Sequence, residues 1–334
     1  MNAQDHNQRV VQRSRYAKLS SGLVYIAACF LLFILSAYRG FEVGTDVLKY
    51  QISYEAIQYG GRLYSEPLWI FLLQIVNYLG GDFRDVLVVT SSFILIPVFW
   101  GIYKESKSPM LSLFFYCSLY FYFYSFNIMR QSIALSLVFL GIICLLNSKK
   151  KYFVVLVIIA GFFHYTAFIA LGLLLISHIS QNKIMYLPAI FLSYVIGLFF
   201  WDSVLQLTTF VFFNYSHIAI EEEPASFWGN AVFLLFLNTF FLYVLAVVKK
   251  KDLLFNIFFV FIVMSNVLSR FPYSGRLIMY FSIIQILFLP SFIYDKKVRL
   301  KGAMDVFVII LYALVIFFER FGHGDIFPYE NILF

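Results

Sequence analysis

The chain has 334 residues, of which 62% are hydrophobic, 21% are aromatic and 13% are charged. An ordinary soluble domain carries about 25% charged residues, so this composition excludes a water-soluble globular protein. Apolar runs of about 17 to 25 residues, the length that crosses roughly 30 Å of hydrocarbon, recur from Leu23 to Phe318. The sequence therefore predicts an all-α fold, a polytopic transmembrane helical bundle.

The formal net charge of +7 comes largely from short basic clusters between the apolar runs. Basic clusters at the ends of membrane spans mark the cytoplasmic side, so the charge does not indicate a nucleic-acid partner. The three cysteines, Cys29, Cys117 and Cys144, all fall inside apolar runs. We expect them to be small buried hydrophobic side chains rather than disulfides or metal ligands.

The basic clusters also predict the side of the membrane on which each loop lies. Four segments are assigned to the cytoplasm, namely the N-terminal tail, 149–151, 249–251 and 296–301. If the spans alternate, loops 39–66 and 202–228 are periplasmic. The predicted organisation is a cytoplasmic basic tail (1–18), a single transmembrane domain (19–320) and a periplasmic C-terminal tail (321–334).

Alternation of sides predicts one apolar segment that does not cross the membrane. Four apolar segments separate the outer loop 39–66 from Lys149, where an odd number of crossings is required. The segment 64–80 is the shortest, begins with Glu66-Pro67 and ends in two glycines. It is predicted to be a re-entrant or interfacial helix on the outer side.

Lys151 and Lys249 are both assigned to the cytoplasm, so an even number of crossings must lie between them. This requirement predicts an interruption after Lys151. Either the stretch 152–178 makes two short passes with a break near Gly161 to His164, or 203–213 adds a crossing. We favour the break, because irregular backbone at membrane depth is tolerated where it lines protein or a water-filled cavity. The predicted total is about ten or eleven crossings.

Arg130 is a candidate anion-binding residue. Ionisable side chains at membrane depth cost about 2.5 to 3.5 kcal/mol each on insertion scales, so each requires a partner or a task. Arg130 lies between two apolar runs on the predicted outer side, at the start of the next helix. The positive end of that helix dipole adds to its charge. The alternative interpretation is an arginine that snorkels to the interface.

His164 is a candidate general base. It is flanked by aromatic residues and has no charged residue within a dozen positions. At a helix break, a neutral imidazole is available to accept a proton. The alternative interpretation is a hydrogen-bonded core histidine.

Arginines on the predicted outer side suggest a bound anion. Arg39 shares an outer loop with Asp46, and Arg270 and Arg276 flank a turn that contains proline and glycine. A solvated charge pair and an interfacial anchor are the alternatives for these sites. With Arg130, however, four arginines lie where the positive-inside rule makes them unexpected. Guanidinium groups bind phosphate oxygens bidentately, so a pyrophosphate at headgroup level would suit them.

Motifs of other chemistries are absent from the sequence. It contains no Asp-x-Asp pair for a metal-bound nucleotide sugar, no HExxH, no GxxxxGK[ST] and no GxSxG. We therefore expect no metal and no cofactor.

Three short motifs follow one another along the chain: Arg39-x4-Gly44-Thr45-Asp46-x3-Tyr50, Asn127-x2-Arg130-Gln131-x2-Ala134 and His164-x-Thr166-Ala167. In this order they resemble the EpsG family of bacterial polysaccharide polymerases, which is related in role to the Wzy O-antigen polymerases. The resemblance includes Arg270 to Tyr280 and a late Pro328-Tyr329.

The resemblance implies a GT-C-like membrane glycosyltransferase that makes O-antigen or exopolysaccharide in the bacterial inner membrane. Its donor and acceptor are undecaprenyl-pyrophosphate-linked oligosaccharide repeat units, joined on the periplasmic face without a metal ion. A chain-length regulator protein is a further implied partner, beside the lipid bilayer.

The resemblance and the residues together predict a site. His164 is the general base, and Arg130 and Arg276, with Arg39 and Arg270 nearby, neutralise the departing pyrophosphate. Asp46 orients an arginine or holds a sugar hydroxyl. The predicted substrate-binding residues are Arg39, Asp46, Tyr50, Asn127, Gln131, Arg270 and Arg276.

Two other functions remain open at this point. A flippase or transporter of the lipid-linked oligosaccharide would also use outer arginines, but it predicts an internal repeat and mid-membrane substrate groups that the sequence lacks. A membrane-bound sugar acyltransferase could use His164 as its base.

Overall fold

The computed structural model describes residues 21–176, 183–200, 227–248, 252–270, 274–294 and 303–332. Its first half consists of α1 (Ser21–Ala37), α2 (Val47–Gln58), α3 (Pro67–Tyr78), α4 (Phe83–Glu105), α5 (Pro109–Ser118), α6 (Phe121–Asn127), α7 (Met129–Leu146) and α8 (Lys150–Phe163). A 3-10 helix (Tyr165–Gly172) then leads to α9 (Leu173–Ile176), α10 (Lys183–Phe199), α11 (Phe227–Val247), α12 (Leu253–Val267), α13 (Ser274–Ser282), α14 (Gln285–Tyr294) and α15 (Ala303–Arg320). These residues contain no β-strand.

Several of the described helices are suited to a membrane. Two of them, α4 and α7, are long and apolar enough to cross it alone, and the pair α13–α14 adds a third if its 41° bend lies within one span. Seven further apolar helices in the described ranges have 10–17 residues. The predicted all-α polytopic membrane fold is confirmed, and the total of about ten or eleven crossings stays a prediction.

Helix α7 is the most deeply buried of the long helices. It packs against both α4 and α8, and 72% of its residues are buried. A helix that is apolar on all sides is stable in this position because neighbours cover every face. Arg130 is its second residue, so the packing of α7 fixes the backbone position from which the Arg130 side chain extends.

The short segment predicted not to cross the membrane corresponds to α3. This helix has 12 residues, a length of about 18 Å at 1.5 Å per residue, which is too short for the hydrocarbon layer. Its length agrees with the predicted re-entrant or interfacial helix. Pro67 is its first residue, and Glu66 before it is extended (φ −72°, ψ 119°), as expected for a residue that precedes proline.

The predicted break near Gly161 to His164 is present. Helix α8 ends at Phe163, and His164 is extended with φ −158° and ψ 114°. The His164 carbonyl accepts a hydrogen bond from the Ala167 amide (3.0 Å) at the start of the 3-10 helix. The histidine therefore lies between two helices, where its side chain is not confined to a helix face.

Two further apolar runs of the sequence, 110–126 and 276–293, are interrupted in the structure. The segment 110–126 is divided into α5 and α6, because Tyr120 adopts a left-handed conformation (φ 72°) between them. The segment 276–293 is divided into α13 and α14 by the 41° bend. Both runs are apolar throughout, so hydropathy alone gives no sign of the interruption.

The C-terminal tail packs on the loop that follows α1. The Glu330 carbonyl accepts a hydrogen bond from the Gly40 amide (2.8 Å), and Arg39 forms an isolated bridge with Asn331. The Tyr329 hydroxyl donates to the Leu35 carbonyl (2.5 Å). This contact requires both segments to lie on one side of the membrane, in agreement with the side predicted for each. The predicted tail 1–18 and residues 202–226 lie outside the described residues.

Candidate functional site

A cavity of about 250 Å³ lies where several helices begin or are interrupted. Its lining comes from the start of α2, the loop before α3, the start of α7, the break after α8 and the start of α13. The lining residues are Asp46, Lys49, Tyr50, Tyr64, Ile128, Arg130, Gln131, His164 and Arg276. Five segments that are distant in sequence thus meet at one polar site.

Glu66 connects the two predicted catalytic residues. One carboxylate oxygen, Oε2, lies 2.5 Å from Arg130 Nη1, and the other, Oε1, lies 3.2 Å from His164 Nδ1. Glu66 is 5% exposed and does not itself line the cavity. A single buried carboxylate therefore contacts both predicted catalytic side chains, and both of these residues line the cavity.

The environment of Glu66 favours its charged form. Burial raises the pKa of this carboxyl, but the hydrogen bond from His164 and the charge of Arg130 outweigh burial and leave the pKa below its ordinary value. Opposite charges and hydrogen bonds to the charged form stabilise a carboxylate in this way. Glu66 is thus an anion at neutral pH.

The contact with Glu66 sets the orientation of the His164 ring. An ionised carboxylate only accepts hydrogen bonds, so His164 Nδ1 is the donor. In the neutral ring, Nε2 then carries the lone pair. Nε2 is buried and has no hydrogen-bond partner among the described residues. The Tyr165 hydroxyl also donates to the Ser65 carbonyl (3.0 Å), which ties the helix break to the loop that carries Glu66.

Arg130 is held by an aromatic ring as well as by the carboxylate. Its guanidinium carbon lies 3.7 Å from the centre of the Tyr64 ring, a favourable cation–π geometry. Its side chain is 16% exposed, and it lies beside the N-terminal end of α7, whose dipole adds positive potential. The guanidinium is therefore fixed and partly desolvated at the cavity wall.

The charge of the cavity lining is positive. Arg130, Arg276 and Lys49 are its cations and Asp46 is its carboxylate, counted over the described lining. Asp46 accepts from Lys49 Nζ (3.0 Å) and lies 4.0 Å from Arg276 Nη2. This arrangement can bind a small anion with two or more negative oxygens.

Gln131 and Asn127 form hydrogen bonds that join the segments around the cavity. Gln131 Nε2 donates to the Arg276 carbonyl (2.5 Å), which joins the start of α7 to the start of α13. Asn127 Nδ2 donates to the Gly324 carbonyl (2.9 Å), and its Oδ1 accepts from Thr45 Oγ1 (3.3 Å). A Cβ at Gly324 would lie 1.9 Å from Asn127 Nδ2, so only glycine fits at this position, where φ is +82°.

A comparison with known protein families identifies the family to which the chain belongs. The model of the EpsG family matches residues 22–331, nearly the whole chain, and every residue of the cavity lies inside the match. The chain belongs to the EpsG family. No curated protein and no solved structure matches it. EpsG proteins are Wzy-type polymerases or glycosyltransferases, so the chain has a polysaccharide polymerase type of function in a membrane.

Two of the predicted arginines of this EpsG protein lie outside the cavity. Arg39 is 1% exposed; its Nη1 donates to the Ser36 carbonyl (2.5 Å) and its guanidinium carbon lies 5.0 Å from the centre of the Phe126 ring. Arg270 follows the end of α12 and is not among the lining residues. The predicted grouping of four arginines is therefore reduced to Arg130 and Arg276 in the cavity. The sequence predicted the side of the membrane for each arginine but not the direction of its side chain.

Three residues of the site are not predicted from the sequence. They are Glu66, which the sequence marks only as the start of a short apolar segment, Lys49 and Tyr64. The available signal for Glu66 was an acidic residue assigned to the same side of the membrane as Arg130 and His164, because such charges need partners. The described residues contain no group of three or more His, Cys, Asp or Glu side chains placed to hold a metal ion.

Proposed function

We propose that this EpsG protein joins oligosaccharide repeat units carried on undecaprenyl pyrophosphate, on the periplasmic face of the bacterial inner membrane. The observation that carries the proposal is the buried Glu66 carboxylate, which holds an imidazole and a guanidinium against one cationic cavity. A polymerase of this type requires a base for the acceptor and a cationic site for the leaving group.

The leaving group is the pyrophosphate of the donor. Arg130 and Arg276 bind its oxygens, and Lys49 adds charge at the exposed side of the cavity. Guanidinium groups stay protonated when they are partly desolvated, so they stabilise the charge that develops as the pyrophosphate departs. These side chains supply the role that a divalent ion has with nucleotide sugars, and we assign no metal to the reaction.

The nucleophile is a hydroxyl of the acceptor sugar. His164 Nε2 takes its proton while the hydroxyl oxygen bonds to the anomeric carbon of the donor. The bond between that carbon and the pyrophosphate oxygen breaks, and its electron pair leaves with the pyrophosphate. Glu66 then lies beside the imidazolium and stabilises its positive charge.

Glu66 is a positioning residue in this mechanism, and Glu66→Gln tests that role. We expect polymerisation to fall roughly 10- to 100-fold, because hydrogen bonds to charged groups contribute about 1.5 to 3 kcal/mol. The exposed Glu55→Gln is the matched control and is expected to behave as wild type. Equal rates in both variants, measured at matched amounts of folded protein, would remove Glu66 from the mechanism.

The stability of the same variant should depend on pH. Because the folded-state pKa of Glu66 is lowered, its contribution to the free energy of unfolding is complete above the ordinary glutamate pKa. That contribution is lost as the pH falls through the lower folded-state pKa. We expect the difference in thermal stability between wild type and Glu66→Gln to be constant near neutral pH and to shrink in acid. A difference that grows in acid would contradict the charged contact.

A cellular experiment separates the polymerase from the two other candidate functions. In cells that lack the chain, loss of a polymerase leaves a single repeat unit on the lipid carrier at the outer face. Loss of a flippase leaves no glycolipid at the surface, and loss of an acyltransferase leaves chains of normal length without acyl groups. The proposal expects the first result, measured by mass spectrometry of the lipid-linked glycans. A chain-length regulator is a partner to be sought by crosslinking in the same cells.

A further inference from the structure

The catalytic cavity continues into two further cavities. The second, of about 260 Å³, shares Asp46, Ile128 and Arg276 with the first. The third, of about 220 Å³, shares Tyr124, Gly275, Met279 and Arg320 with the second. The three cavities therefore adjoin one another from His164 past Arg276 to the end of α15, and together they are called the groove.

The far end of the groove differs in charge from the catalytic end. Arg320 is its cation, and Arg320 Nε lies 3.6 Å from Glu319 Oε2, so its charge is balanced by a neighbour that also lines the third cavity. Arg320 Nη1 donates to the Leu119 carbonyl (3.1 Å), and its guanidinium carbon lies 5.6 Å from the centre of the Tyr124 ring. The described lining of the third cavity has no Lys or Arg besides Arg320, whereas the catalytic end also has Arg276 and Lys49, so the far end is suited to a neutral ligand rather than to a second pyrophosphate.

The inner wall of the third cavity is also polar but uncharged. Ser265, Ser282 and Gln285 line it together with apolar side chains. Hydroxyl and amide groups, an aromatic ring and a paired arginine are hydrogen-bonding and packing partners for a chain of sugar rings. Ser265 and Ser282 donate to the Phe261 and Met279 carbonyls, so their hydroxyl oxygens remain available as acceptors for sugar hydroxyls.

We propose that this end of the groove is a glycan subsite, which binds sugars of the repeat unit that are remote from the bond being formed. The inference rests on the proposed function, because it takes the oligosaccharide of that reaction as the ligand. The subsite would make the enzyme recognise a whole repeat unit rather than its reacting sugar alone. Glu319 and Arg320 bind hydroxyls there, and Tyr124 packs on a ring.

Gly275 lies at the passage between the second and third cavities and allows a steric test. A Cβ built at Gly275 meets no atom within 4 Å, so a larger side chain begins in open space at a residue that lines both cavities. Gly22, in α1, is equally open and lies outside the three cavities. Leucine at Gly22 is therefore a matched control for leucine at Gly275.

The experiment measures polymerisation by purified Gly275→Ala, Gly275→Leu and Gly22→Leu, with the lipid-linked repeat unit extracted from cells that lack the chain. We expect KM to rise about tenfold for Gly275→Leu, the effect of losing one or two hydrogen bonds, with kcat changed much less. The rise for alanine should be smaller, and Gly22→Leu should match wild type. The same lipid trimmed enzymatically to one sugar should inhibit all of them with one Ki, because it does not reach the subsite.

A second variant, Glu319→Gln, still tests the subsite if Gly275→Leu does not fold. Glu319→Gln changes a half-exposed side chain (42%) and should also raise KM for the full repeat unit but not Ki for the trimmed lipid. Unchanged KM in both Gly275→Leu and Glu319→Gln would overturn the subsite while leaving the polymerase intact. If wild type makes no polymer, the proposed function fails instead. The subsite is then tested separately by NMR binding of the lipid-free oligosaccharide to the wild-type protein. Absence of binding would overturn the subsite as well.

Discussion

Replacing His164 with alanine should lower the rate of polymerisation by about 10²- to 10⁴-fold, the usual contribution of a positioned proton transfer. His164 lines the cavity and its buried Nε2 has no hydrogen-bond partner among the described residues, whereas the Asp46 carboxylate of the same lining accepts from Lys49. Donor binding should survive, because the cations of the cavity are unchanged. The measurement is single-turnover polymerisation of lipid-linked repeat units at matched folded protein.

Glutamine and asparagine at position 164 decide between a base and a structural histidine. Both can keep a hydrogen bond to Glu66, but neither accepts a proton at neutral pH. We expect both variants to fold like wild type and to be nearly as inactive as alanine. Glutamine working as well as histidine would show that His164 only supports the helix break.

The second large effect is expected for Arg130→Lys. Lysine keeps the positive charge but loses the planar fork that contacts Glu66 and stacks on Tyr64. We expect a loss of about 10²- to 10³-fold in kcat, the range for removing one preorganised donor from a developing anion. The rate is compared at saturating donor, so that weaker binding alone does not explain the loss.

Arg62→Lys is the control for that variant, because Arg62 is exposed in the loop before α3 and lines none of the three cavities of the groove. It should keep wild-type rates and the same level in the membrane. Near-normal polymer length from Arg130→Lys would instead identify Arg130 as an interfacial anchor whose pairing with Glu66 serves the fold.

The sequence predicts the class of fold more fully than its details. Hydropathy identifies the apolar segments, because exclusion of charge from hydrocarbon is a strong constraint. The break at His164 is one of two alternatives that the sequence allows, since charge clusters fix only whether the number of crossings is odd or even. The left-handed Tyr120 between α5 and α6 does not follow from the sequence, because an interrupted apolar run has the same composition as a continuous one. Packing against neighbouring helices decides such interruptions.

The site is predicted in part for a similar reason. Arg130, His164, Asp46 and Arg276 line one cavity. Arg130 and His164 are sequence candidates as ionisable groups between or within apolar runs, and Asp46 and Arg276 as charged residues of the predicted outer side. The carboxylate that pairs with two of them, Glu66, was missed because 98 residues separate it from His164. Charge in a sequence indicates that a partner exists, but only the packing of α3 against α8 identifies it.

The most direct test of the proposed function is polymerisation by the purified chain in lipid vesicles. Undecaprenyl-pyrophosphate-linked repeat units are the only substrate, and a chelator of divalent ions is present. The proposed mechanism predicts a ladder of lipid-linked glycans of increasing length, with one undecaprenyl pyrophosphate released for each new linkage. Intact monomeric substrate after incubation with folded wild-type protein, or polymer that forms only when a nucleotide sugar is added, would contradict it.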